Sequence, residues 1–169
     1  MKLARWAALI ALSGLAPALS ATAIDLKLGS RSFDEERWPE VGVAIAVGPD
    51  ERWVRPAFGA AVAFDFVYGG TVLEASAGLA GDFPHRERLA LSWGLGAAFL
   101  DYDYGPNRGT AEAIYGELGL RWVRADGLDF GVNLRYLDGS DVRLRTVDSD
   151  DPGFRESIST TVVSFVVRW

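Results

Sequence analysis

The chain has 169 residues, room for one domain, with 17 Lys and Arg against 23 Asp and Glu and a net charge of −6. That acidity makes nucleic acid a poor partner, because neutralising phosphates is the main source of such affinity. Cysteine is absent, which excludes a disulfide framework, yet 49% of the residues are hydrophobic and six are tryptophan.

At the N-terminus, Lys2 and Arg5 accompany an apolar run from Trp6 to Leu15, Pro17 breaks it, and Ala21-Thr22-Ala23 supplies small residues. This layout predicts a secretory signal peptide over residues 1–23, cleaved after Ala23, and a mature domain over 24–169. The run is far shorter than the roughly 20 residues of a membrane-spanning helix. No later run approaches that length, and no cysteine follows to carry a lipid anchor. Losing Lys2 and Arg5 takes the charge to 15 − 23 = −8.

The mature part reads as strands with a period of two, punctuated by turn residues. Ile24, Leu26 and Leu28 alternate with Asp25, Lys27 and Gly29; Val41, Val43, Ile45 and Val47 with Gly42, Ala44, Ala46 and Gly48. A third strand is predicted from Trp53 to Tyr68, with Val54, Phe58, Val62, Phe64, Phe66 and Tyr68 opposing Arg55, Gly59, Ala61, Ala63 and Asp65. In the fourth, Leu73, Ala75, Ala77 and Leu79 oppose Glu74, Ser76, Gly78, Ala80 and Asp82. Leu89 to Phe99, Ile114 to Trp122, Leu128 to Tyr136 and Thr161 to Trp169 complete a set of about eight, an even number as single-chain bacterial membrane barrels have.

Connectors at one end fall at 49–52, 83–87 and 125–127. Those at the other fall at 34–40, 69–70, 105–110 and a long segment between 138 and 156, where Val142, Leu144 and Thr146 extend the parity of the seventh strand and 148–153 forms its turn. Long connectors on one side only are what a membrane barrel requires, with the N-terminus on the periplasmic side.

The minority face decides which side is inside. It carries Asp25, Asp65, Glu74, Asp82, Glu117 and Asp129 with Lys27, Arg55, Arg88, Arg121, Arg135 and Arg168, set among Gly, Ala and Ser. Balanced charges among tiny residues suit a narrow lumen, where an unpaired charge is costly. Glu74, Glu117, Arg121, Arg135, Asp65 and Arg55 are the expected lumen network. The other face is apolar along whole strands. Trp122, Phe130 and Trp169 lie near one edge and Tyr68, Phe99 and Tyr136 near the other, like the aromatic belts of a membrane interface. Trp93 sits deeper than either belt. The expected fold is therefore all-β: an antiparallel up-and-down transmembrane barrel that pairs every backbone group internally. A soluble barrel carrying an apolar ligand needs these faces reversed.

With these features the mature chain resembles the small outer-membrane β-barrel proteins of Gram-negative bacteria, of the OmpA-transmembrane, OmpX and opacity-protein kind. Its last strand, Val163-Ser164-Phe165-Val166-Val167-Arg168-Trp169, looks like the signal read by the barrel-assembly machinery, although Ser164 stands nearest to the usual glycine. The resemblance implies an outer-membrane location among lipid and lipopolysaccharide, with a structural or surface-interaction role. Some relatives are lipid-modifying enzymes using a histidine with a serine and a carboxylate. Here the single histidine, His85, falls in a connector on the wrong side and is followed by Arg86 and Glu87. Asp148, Asp150 and Asp151 lack the spaced glutamate of a calcium loop. No catalytic, metal or cofactor site is expected. A narrow pore is the alternative, since the Gly and Ala rows leave lumen space.

Overall fold

Side chains on a strand point alternately to opposite faces. Alternation sustained over ten residues therefore gives each strand one apolar and one polar side before any partner is chosen. A computed structural model of the chain describes residues 22–33, 36–48, 53–67, 69–83, 88–104, 107–124, 127–139, 142–146, 154–156 and 159–169. The strands are β1 (Thr22–Phe33), β2 (Glu36–Val47), β3 (Arg55–Phe64), β4 (Thr71–Asp82), β5 (Leu89–Tyr104), β6 (Asn107–Trp122), β7 (Asp129–Gly139), β8 (Val142–Thr146), β9 (Phe154–Glu156) and β10 (Ser159–Arg168). Strands β1 to β7 and β10 form an antiparallel meander in which each pairs with the next, and β1 pairs with β10 to close an eight-stranded barrel.

The register fixes the barrel's dimensions. Following direct partners around the ring from Leu89 leads through Trp122, Phe130, Val167, Leu26, Val43, Ala60 and Ala75 to Phe99, a stagger of 99 − 89 = 10 residues. With a rise of about 3.3 Å per residue and strands about 4.8 Å apart, that stagger tilts the strands by about 41° and sets a backbone radius of about 8 Å. Each residue then advances about 2.5 Å along the barrel axis.

The end that carries Thr22 and Trp169 is here the near end; its connectors span 48–54, 83–88 and 123–128. Two far-end connectors are shorter than the sequence predicts. Residues 36–40 belong to β2 and 107–110 to β6, so only 34–35 and 105–106 separate those strands. Arg37, Arg108 and Thr110 are exposed there, and this polar outer face hides the strand from a hydrophobic pattern. The third strand, conversely, stops at Phe64 rather than Tyr68. Asp65 ends it, because its carboxylate accepts a hydrogen bond from the Val67 N–H at 2.8 Å while the Gly69 N–H, at a φ of 77°, bonds the Asp65 carbonyl. The seventh strand ends at Gly139, and a separate strand, β8, pairs with the upper part of β6 in a register shifted by one residue. The parity of Leu134 and Tyr136 is therefore not carried on to Thr146, while β9 pairs with β8. Residues 147–153, with the predicted turn and Asp148, Asp150 and Asp151, lie outside the described residues, as do Tyr68, His85 and residues 1–21.

Small inward residues make room for large ones. The Tyr115 ring lies across the Gly78–Gly96 pair of β4 and β5: a Cβ on Gly96 would stand 2.7 Å from Tyr115 Cε1, and one on Gly78 2.8 Å from Tyr115 Oη. Gly116, on the outward face, has only Leu95 Cδ2 nearby, at 3.7 Å. Gly96→Ala is therefore expected to cost about 1–3 kcal/mol through overpacking. Gly116→Ala should be near neutral, and urea midpoints of the two variants in detergent check the contrast.

Candidate functional site

Parity places the charged side chains of seven strands in one lumen. Near the termini, Asp25 of β1, Asp82 of β4 and Asp129 of β7 meet Arg55 of β3, Arg121 of β6 and Arg168 of β10. Arg168 binds Asp25 with two bonds of 2.5 and 2.7 Å. Asp82 is the hub, with Arg55 at 3.1 Å, Arg121 at 3.0 Å and Arg168 at 3.2 Å. Arg121 also reaches Asp129 at 3.0 Å.

Further up, carboxylates are glutamates. Lys27 Nζ lies 2.6 Å from Glu117, whose other oxygen accepts from Asn133 Nδ2 at 2.7 Å. Arg31 of β1 bridges Glu40 of β2, at 2.5 Å, and Glu74 of β4. Glu74 also takes Arg135 Nη1 at 2.6 Å, and the Arg135 guanidinium stacks 3.8 Å over the Tyr115 ring. Three acids thus face three bases in each tier, and Arg31 and Arg55 are each only 1% exposed. Such burial is tolerable only with this pairing.

From the level of Glu74 toward the far end the lumen is mainly apolar. Trp38, Val72, Leu100, Tyr102, Leu137 and Val162 form a buried cluster with Ala63, Ala98, Ala111 and Ala113, and Leu100 and Leu137 are wholly inaccessible. Phe33 packs on it, its ring 4.7 Å from Trp38 and 6.2 Å from Tyr102. Below this plug, beside the Gly42, Ala44 and Gly59 wall, a cavity of about 50 Å³ remains among Lys27, Glu117 and Arg135. It has room for a few water molecules.

Of the predicted network, Glu74, Glu117, Arg121, Arg135 and Arg55 meet in the lumen. Asp65 does not join them. It is buried at the far end of β3, opposite Arg55, where it caps the turn. Arg88 is exposed just before β5, so it stands at the rim rather than inside. Arg31 and Glu40 escape the sequence reading because the first strand is predicted to end at Gly29 and the second to begin at Val41; continuing the parity of Asp25 and Lys27 reaches Arg31. Phe99, Trp122, Tyr136 and Trp169 point outward and are about half exposed. Phe130 is outward and partly covered, stacking on Phe165 at 6.1 Å. Trp53 and Phe83 join the near-end aromatics. Trp93, also outward, lies against Gly81, where Trp53 packs so closely that no Cβ fits.

No protein-family model matches the sequence, and no curated protein matches it. In structure the chain is similar to Neisserial surface protein A (NspA), with a TM-score of 0.63 and 13% identity over 87% of this chain and 94% of that one. It is also similar to the N-terminal β-barrel domain of Pseudomonas aeruginosa OprF, with a TM-score of 0.53 and 11% identity over 87% and 97% of the two chains. At these identities the likeness is one of fold: the closed eight-stranded barrel of small Gram-negative outer-membrane proteins, as the sequence resemblance implied.

Glu74 separates Arg31 from Arg135, so removing its charge leaves two buried cations without their shared partner. Glu74→Gln is expected to destabilise the barrel by about 3–5 kcal/mol. Glu112→Gln, on the exposed outer face, should change stability by less than about 1 kcal/mol. Urea unfolding in detergent followed by tryptophan fluorescence measures both.

Proposed function

We propose that this chain is an integral outer-membrane protein with a structural or surface-interaction role, exported by a signal over residues 1–23, and not an enzyme. The observation that carries the reading is the inversion of the faces. Leu118 is 57% exposed and Leu134 52%, while Arg31 and Arg55 are at 1%. In water such an exterior would be a large aggregation-prone surface. In a bilayer it is the required one, with all ladder hydrogen bonds satisfied by closure.

The height of the apolar surface supports the same reading. On β6 the outward positions run from Trp122 to the first charge, Glu112, a span of 122 − 112 = 10 residues. At about 2.5 Å each this is about 25 Å, the height of the apolar band on membrane barrels. Trp53, Phe83, Trp122, Phe130 and Trp169 then mark the periplasmic interface, and Phe99 and Tyr136 the outer one. Lipid and lipopolysaccharide are the surrounding partners, and β10 is the segment offered to the assembly machinery. Cleavage after Ala23 would remove the Thr22–Val47 and Ala23–Ala46 pairs and leave the register from Ile24 intact.

Two features support a sealed, non-catalytic barrel over a pore or a lipid-modifying enzyme. The plug around Leu100 and Leu137 fills the lumen's outer third with apolar side chains. Beneath it, the acids and bases that general acid–base chemistry would need are engaged with one another. The deciding experiment is fractionation, followed by gel migration with and without boiling and by conductance in planar bilayers. The expected result is an outer-membrane, heat-modifiable protein without steady conductance; a soluble monomer, or a stable open channel, would overturn the proposal. Leu118→Arg should cost about 2–4 kcal/mol in lipid, a loss that a soluble barrel would not show.

A further inference from the structure

One end of the apolar surface overshoots the band. Outward positions leading up β3, namely Val54, Pro56, Phe58, Ala60, Val62 and Phe64, carry no polar side chain over 64 − 54 = 10 residues. At about 2.5 Å each they already span the full height of about 25 Å. Beyond them the β3–β4 turn presents Phe66 at 81% and Val67 at 79% exposure, the two most exposed large hydrophobic side chains among the described residues. Elsewhere at this end four strands carry an exposed charge at an outward position: Arg37 on β2, Asp101 on β5, Glu112 on β6 and Asp138 on β7.

The turn is built to hold those side chains out. The Asp65 N–H bonds the Gly70 carbonyl at 2.8 Å, the Gly69 N–H bonds the Asp65 carbonyl at 3.1 Å, and the Asp65 carboxylate takes the Val67 N–H. The Phe66 ring lies nearly parallel to that of Phe64, 14° apart in plane with centroids at 6.2 Å. Surface turns ordinarily carry Gly, Asn, Asp or Ser. A fixed turn offering Phe and Val in their place is an apolar tip continuous with the lipid-facing wall of β3.

Resting on the membrane reading above, we propose that the β3–β4 tip is a lipid-contact site. Phe66 and Val67 stay in contact with outer-leaflet lipid at the boundary of headgroups and acyl chains, so the lipid-covered wall is taller at β3–β4 than at β6–β7. A barrel whose apolar surface varies in height around its circumference deforms or thickens the leaflet locally, at modest cost per ångström. Lipid is favoured over a protein partner because the tip extends an unbroken lipid-facing strip.

The chain has no cysteine, so single-cysteine variants can carry a nitroxide spin label directly. Phe66→Cys, Val67→Cys, Leu118→Cys, Glu112→Cys and Asp138→Cys would be labelled, reconstituted in lipid vesicles, shown to be folded by heat-modifiable migration, and exposed to oxygen or to a polar nickel chelate. Oxygen collisions should dominate at 66 and 67, as at 118, and nickel collisions at 112 and 138. The oxygen-to-nickel ratio should differ by roughly threefold or more, because a polar chelate is excluded from hydrocarbon. If 66 and 67 behave like 112 while 118 reports lipid, the tip is in water; this proposal falls and the membrane reading stands. If 66 and 67 are shielded from both reagents, a protein surface covers them and the proposal also falls. If 118 itself reports water, the membrane reading fails and takes the proposal with it.

Discussion

Closure of the sheet is the constraint on which everything else in this molecule depends. The β1–β10 ladder, from Asp25 with Arg168 to Ser32 with Thr161, removes the two free edges that an eight-stranded meander would otherwise leave. Once the ring closes with a stagger of ten residues, the backbone radius is no longer adjustable. The lumen is then too narrow to be lined by large side chains all round. Gly78, Gly94 and Gly96 on β4 and β5 yield the space that Tyr115 and Glu117 on β6 occupy, and the Gly42, Ala44 and Gly59 wall leaves the small cavity. The smallness of one wall and the bulk of the other are a single packing solution.

Charge in such a lumen is costly unless it cancels locally. The chain meets this with two tiers, each neutral: three aspartates with three arginines near the termini, then three glutamates with Lys27, Arg31 and Arg135. Carboxylates with more than one partner tie distant strands together. Asp82 joins β4 to β3, β6 and β10, and Glu74 joins β4 to β1 and β7 across the barrel. These contacts run across the lumen, where the backbone ladders do not reach. They brace the ring against flattening, in addition to neutralising one another.

The parts of this structure that were legible in the sequence are those where an apolar exterior and a charged lumen impose a strict alternation. Between Leu73 and Asp82, or Leu128 and Tyr136, each position has one permissible chemistry, and the strand, its face and its lumen charges can all be read. Above the apolar band that rule lapses. Arg37 and Pro39 point outward into a polar setting, so β2 shows no alternation there, and its inward Trp38 and Glu40 look like loop residues. The same lapse conceals Arg31 on the facing stretch of β1, and with it the most deeply buried ion pairs. Asp65 and Arg88 fail for a different reason. Parity assigns them inward, but each stands where a strand ends, and the turn or rim decides its surroundings.

An interior consumed in this way limits where the protein meets anything else. The acids and bases of the two lumen tiers are paired with one another, and the outer mouth is filled by Leu100, Leu137, Val72 and the Phe33, Trp38 and Tyr102 rings. What remains to be varied without disturbing closure is the outer wall and the far-end connectors. Those connectors are unequal: two residues separate β1 from β2 and β5 from β6, while the stretch after β7 adds β8 and β9, with β8 alongside the raised end of β6. The barrel therefore presents an asymmetric far end, with an added hairpin beside β6 and an apolar tip at β3–β4. Selection on surface contacts can reshape either feature while the two neutral tiers and the ten-residue stagger stay as they are.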